Sequence, residues 1–202
     1  MPKYVAFLRA INVGGHTVKM ADLRRHFEAM AFAEVETFIA SGNVIFSASA
    51  TETRRLENQI ESGLHPALGY TVATFLRTPV HLAAVARHRP FADEALRDGD
   101  HMLYVAFVAE PPGAAAQAKL HRLANEIDAF QVHGSEIYWL RRNPTIPSTF
   151  SGALLEKTLG QPATVRNITT VRRLAAKYGG WRPPQKTPPP RRKDEGLSEA
   201  CF

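Results

Sequence analysis

What most constrains this chain is the order in which strand-like and helix-like hydrophobic patterns alternate. Lys3 to Ala10 (KYVAFLRA) is an apolar, aromatic and β-branched run of strand length, the pattern of a mostly buried strand. Ile11 to Thr17 is a glycine-bearing loop, after which Met20, Leu23, Phe27 and Met30 recur at helical spacing between charged residues. Glu34 to Ala40 predicts a strand, Ser41-Gly42-Asn43 a tight turn and Val44 to Ala48 the returning strand. Ser49 and Glu52 have the spacing of a capping box. Leu56, Ile60 and Leu64 then mark one helix face, Gly69 its end, and Tyr70 to Arg77 another strand. The order is β-α-β-β-α-β.

After a short helix at Val80 to Arg89 and a polar loop at Asp98-Gly99-Asp100, the same order returns. His101 to Ala109 reads as strand, Pro112 to Glu126 as helix, Ala129 to Val132 and Glu136 to Leu140 as a hairpin turning at Gly134-Ser135. A helix follows Ser148, a plausible N-cap residue, then a short closing strand at Thr164 to Arg166. Val171, Leu174, Ala175 and Tyr178 mark a last helix. No sequence identity between the halves is visible, so the repeat is one of element order. The expected fold class is α+β, with two tandem ferredoxin-like (βαββαβ) units at 1–78 and 79–180, the second including a linker helix and a C-terminal helix. Residues 181–202 hold five prolines between 183 and 190 and no helical or strand period; they predict a disordered Pro/Arg-rich tail.

This topology has a consequence for function. The first two strands run parallel through a crossover helix, with the third antiparallel between them. The end of the first strand then meets the turn between the second and third. Arg9, Asn12, Gly14 and Gly15 should thus lie close to Ser41 and Asn43. The first helix opens at the same edge, where unpaired N–H groups favour an anion, and Lys19 adds charge. The competing view is structural: Gly-Gly turns the chain, and Ser-Gly-Asn is ordinary hairpin sequence. The loop fits neither the Walker pattern nor the G-x-G-x-x-G dinucleotide fingerprint. Farther on, Asn167 would cap the last helix and set Arg166 at its positive end. There Arg166 either pairs with a carboxylate of its own unit or faces an anion.

Tyr4 to Gly15 (YVAFLRAINVGG), Lys19-Met20-x-x-Leu23 and Ser41-Gly42-Asn43-Val44-x-Phe46 together closely resemble the bacterial domain-of-unknown-function 1697 family. Ala163-Thr164-Val165-Arg166-Asn167-x-x-Thr170 resembles its C-terminal signature. The resemblance covers residues 3–178. It implies a pair of ferredoxin-like α+β units and supplies no catalytic residues or cofactor. Ala10 stands where the family usually has Gly, Thr169 where Asn is usual, and Ser148-Thr149-Phe150 where a more basic stretch is usual.

Other chemistry finds little support. The single cysteine, Cys201, excludes an internal disulfide framework and Cys-rich zinc sites, and fits a reducing, cytoplasmic setting. The eight histidines form no metal-ligand spacing; His16 is the one candidate general base, without a nameable orienting partner. No apolar run is long enough to span a bilayer, so no membrane association is expected. Phe7 and Phe46 sit in apolar runs and read as core, not as an RNA-stacking sheet face. The net charge of +6 is unevenly spread: from Lys157 to Lys193 there are ten Lys or Arg and no Asp or Glu, leaving −4 for the rest. That basicity belongs to the C-terminal stretch; it is the local geometry of the Gly14-Gly15 edge that makes the expected partner a small anionic ligand, a phosphorylated or carboxylated metabolite or a nucleotide. The alternatives are nucleic acid on the basic C-terminal region, or a protein-interaction scaffold without ligand.

Overall fold

The computed structural model describes residues 1–12, 17–49, 52–92 and 101–182. The described residues form a mixed α+β fold with two four-stranded antiparallel sheets and six helices. The first half contains β1 (Lys3–Leu8), α1 (Met20–Ala29), β2 (Ala33–Thr37), β3 (Asn43–Ser47), α2 (Thr53–Leu68), β4 (Thr74–Arg77) and α3 (Pro79–Arg87). The second contains β5 (His101–Val108), α4 (Ala114–Arg122), β6 (Asp128–His133), β7 (Glu136–Arg142), α5 (Gly152–Leu159), β8 (Ala163–Asn167) and α6 (Ile168–Tyr178). The sheet orders are β2-β3-β1-β4 and β6-β7-β5-β8, antiparallel throughout. The expected order of elements is present in both halves, and each half ends with an added helix.

The apolar run at β1 is continuous because both of its faces are buried. Tyr4, Ala6 and Leu8 join Leu23 and Phe27 of α1 and Leu56, Ile60 and Leu64 of α2 in one cluster. Val5 and Phe7 point the other way, toward Val105 and Phe107 of β5. Alternation along a strand makes this division. β5 repeats it, sending Ala106 and Val108 to Leu120 of α4 and Leu155 of α5. The two sheets therefore face each other, with α1 and α2 outside one and α4 and α5 outside the other. At the centre of the junction the rings of Phe7 and Phe107 stack at 4.1 Å, nearly parallel at 8°. Phe7 and Phe46 are fully buried, as their apolar runs predict.

Several boundaries differ from expectation for identifiable reasons. β2 stops at Thr37 because Ile39 (φ 53°) and Gly42 (φ 69°) turn the chain through left-handed backbone. Ser49 does not cap α2: Glu52 holds the N-cap position, with no side-chain cap hydrogen bond. Ser148 does not cap α5; Ser151 does, accepting from the Leu154 N–H, while Ser148 donates to Asp128 and accepts from the Phe150 N–H. Gly69 ends α2 in left-handed conformation, as expected. β4 is confined to Thr74–Arg77, and α2 closes its outer edge. Glu61 and Glu57 accept the Thr74 and Leu76 N–H groups, which blunts an otherwise open sheet edge. Gly14, Gly15, His16, the Asp98-Gly99-Asp100 turn and the tail beyond Arg182 lie outside the described residues. Among the described residues no helix is long and apolar enough to cross a membrane.

Candidate functional site

Local physics explains the edge where β1 ends. The Leu8 N–H donates to the Gly42 carbonyl, so the loop after β1 and the β2–β3 turn do meet. Asn12 (φ 56°) clamps them, donating to the Val18 and Ala40 carbonyls and accepting the Val18 N–H at 2.6 Å. Asn43 donates to Ser41 Oγ and to the Phe38 carbonyl. Arg9 crosses to the second half, where Nε and Nη2 meet Glu156 at 2.5 and 2.8 Å. That hydrogen bond raises the Arg9 pKa. Burial pushes the Glu156 carboxyl up, but Arg9 and the Ala163 N–H hold it below its ordinary value. Lys19 is exposed beside a hollow of about 430 Å³ shared with Asp22 and Arg25, which pair with each other. The edge converges as the topology requires, and its polar groups engage one another and Glu156.

Arg166 is the most instructive of the expected site residues. It is buried, and all five N–H donors of a guanidinium find acceptors. Nε reaches Asn43 Oδ1 at 2.7 Å, one Nη serves Thr164 Oγ1 and the Val165 carbonyl, and the other the carbonyls of Leu8 and Ser41. Neither a carboxylate of its own half nor an external anion is needed: all five acceptors are neutral oxygens, three from the opposite half and two from its own strand. Desolvation lowers its pKa to about 10, so it stays charged near neutrality. Asn167 caps α6 as expected, accepting the Thr169 N–H.

Arg166 has a counterpart that the sequence did not single out. Val105 pairs with Arg166 in register as Val5 pairs with Arg77, and Phe107 with Glu136 as Phe7 with Asn43. Arg77 Nε meets Glu136 Oε1 at 2.6 Å, and its Nη2 reaches the Val108 and Ser135 carbonyls. Each arginine thus crosses to the opposite half and lies over the ring of the opposite stacked phenylalanine: Arg77 over Phe107 at 5.4 Å, Arg166 over Phe7 at 5.8 Å. Two reciprocal brackets at equivalent register positions hold the sheets together. The available signal was an arginine near the end of both closing strands, each before a capped helix.

A wider hollow than the one beside Lys19 lies elsewhere, between α3 and α6. It is an open cleft of about 920 Å³. The C-terminal turn of α3 and the residues after it bring Arg87 and Arg89. The exposed face of α6 brings Arg172 and Arg173, and Arg182 follows α6. Leu103, Phe91 and Trp181 supply apolar surface. No acidic residue is among the described residues lining it. Arg172 loses hydration there and stands near Arg89, and both effects lower its pKa. Arg173 rests on the ring of Phe38 at 5.1 Å. The segment 93–100, with Asp93, Glu94, Asp98 and Asp100, follows in sequence and lies outside the described residues. Arg172, Arg173 and Arg182 belong to the basic stretch visible in the sequence. Arg87 and Arg89, some eighty positions earlier, reach it only through the packing of α3 on α6.

Fold and site together define an α+β protein of two facing antiparallel sheets, bracketed by reciprocal arginines, with an arginine-lined cleft where the two trailing helices meet. The chain belongs to the family described as protein of unknown function DUF1697, whose model matches residues 1–138. The Ala163–Thr170 signature lies beyond that match. Among solved structures the chain is similar to a conserved bacterial protein from Streptococcus pneumoniae, at 21% identity and a TM-score of 0.69, covering 88% of this chain and 98% of the other. That likeness shows the fold. No curated protein matches the sequence.

Proposed function

We propose that the chain is an anion-binding protein built from two ferredoxin-like units, and that the α3–α6 cleft receives a phosphate- or carboxylate-bearing ligand. The observation that carries this is five arginines around one 920 Å³ cleft with no acidic residue among its described lining. Like charges held together in a partly desolvated space repel, and a bound anion relieves that repulsion through charge-assisted hydrogen bonds. The single cysteine supports a reducing, cytoplasmic setting. The Gly14-Gly15 edge is the weaker location, because Arg9, Asn12, Ser41, Asn43 and Arg166 already have internal partners.

A thermal-shift screen with pyrophosphate, citrate and mononucleotides tests the proposal. A ligand at about 100 times its Kd stabilises by about 2.7 kcal/mol, or roughly 5 °C or more for a chain of this size. The shift should vanish in Arg172→Ala/Arg173→Ala and persist in Arg9→Ala. The reverse pattern would assign the ligand to the β1 edge, and no shift with any anion ends the proposal.

A further inference from the structure

Resting on the cleft reading above, we infer that the anion is the sugar-phosphate backbone of a single-stranded nucleic acid, with its bases against Trp181 and Phe91. One phosphate is satisfied by one or two guanidinium forks. Here Arg87, Arg172, Arg173 and Arg182 come from three separate segments and line an open cleft, an arrangement matched to several phosphates in succession. Two aromatic side chains stand among them. Arginines along a groove with rings for stacking make up the sequence-tolerant mode of single-strand binding, since every base offers a π-face. A duplex keeps its bases stacked inside and cannot present them to rings in a cleft between two helices. The chain also continues from Arg182 into Lys186, Arg191, Arg192 and Lys193 with no intervening acid. Positive charge thus runs on in the sequence past the last cleft arginine, a composition that favours a polyanion over a small metabolite.

The test uses the full-length protein and fluorescein-labelled oligo-dT and oligo-rU of 4, 8 and 16 nucleotides, followed by anisotropy across a range of KCl. The 8-mer should bind at least tenfold tighter than thymidine monophosphate measured by competition, and an unlabelled duplex should compete at least tenfold more weakly. Three or four neutralised phosphates predict a log–log salt slope of roughly −2 to −3. Arg172→Ala/Arg173→Ala should weaken binding tenfold or more and flatten the slope by about 1.4. Phe91→Leu and Trp181→Leu, each checked for an unchanged melting temperature, should weaken binding about fivefold or more at unchanged slope. If Trp181→Leu fails to fold, Phe91→Leu decides. Equal affinity for monophosphate and oligomer would overturn the inference while leaving the anion cleft standing. So would inorganic polyphosphate binding as tightly as the oligomer, or binding lost in Arg191→Ala/Arg192→Ala/Lys193→Ala but kept in the cleft variant. Binding of neither oligomer nor small anion would remove both readings.

Discussion

Ala10 shows how a single residue can carry strain in this fold. It follows Arg9 and adopts φ 61°, where its Cβ crowds the backbone. Left-handed conformation costs an L-residue about 1–2 kcal/mol. The resemblance to the family expects glycine at this position. Ala10→Gly should therefore raise the unfolding free energy by about 0.5–1 kcal/mol, measurable as a higher urea midpoint at unchanged slope. Asn12 adopts a similar backbone (φ 56°) with a side chain suited to it, and gains three hydrogen bonds there. Sequence reading selected Asn12 as a ligand group. The structure uses its amide to tie the β1 loop to the β2–β3 turn. An exposed amide and a bracing one look alike in sequence, because partners 28 positions away decide between them.

Among the elements, the contact of α3 with α6 decides most. Both helices follow closing strands, and Leu82, Val85, Ala86, Val171, Leu174 and Ala175 bury together in the cluster between the sheets. Gly179 ends α6, and the backbones approach closely there. A Cβ on it would meet the Pro79 carbonyl oxygen, lie 3.0 Å from the Ala175 oxygen and 3.2 Å from Ala83 Cβ. Gly179→Ala should destabilise the protein by about 1–3 kcal/mol, seen as a lowered melting temperature. Since the same packing brings Arg87 and Arg89 toward Arg172, this variant should also weaken anion binding without touching an arginine. The individual helices were legible from their 3.6-residue periods. Their mutual packing was not, because a period shows which face is apolar and not what covers it.

In the whole molecule, the two brackets differ in one physical respect. Arg77 faces a carboxylate, Glu136, which also lies 3.4 Å from His81, whereas Arg166 faces the neutral Asn43. Burial pushes the Glu136 carboxyl up, yet His81 and Arg77 hold it below its ordinary 4.5. A depressed carboxylate contributes stability that is complete above 4.5 and is lost as pH falls through the folded value. The Arg166 bracket has no such dependence. Glu136→Gln should cost about 2–3 kcal/mol at neutral pH and flatten the fall in stability below pH 4.5, as read from urea titrations at a series of pH values. Asn43→Ala should leave the acid limb as it is.

The sequence alone determined the alternation of strands and helices in both halves, the burial of β1, and the meeting of the β1 end with the β2–β3 turn. These follow from hydrophobic period and from the antiparallel insertion of the third strand, which are local or topological properties. It also determined that the positive charge concentrates between Lys157 and Lys193. Tertiary structure decided what the arginines do. Arg9 and Arg166 find oxygens in the opposite half, and Arg87 and Arg89 join Arg172, Arg173 and Arg182 around a cleft. A guanidinium's role depends on whether acceptors surround it, and those acceptors arrive only when the two sheets pack face to face.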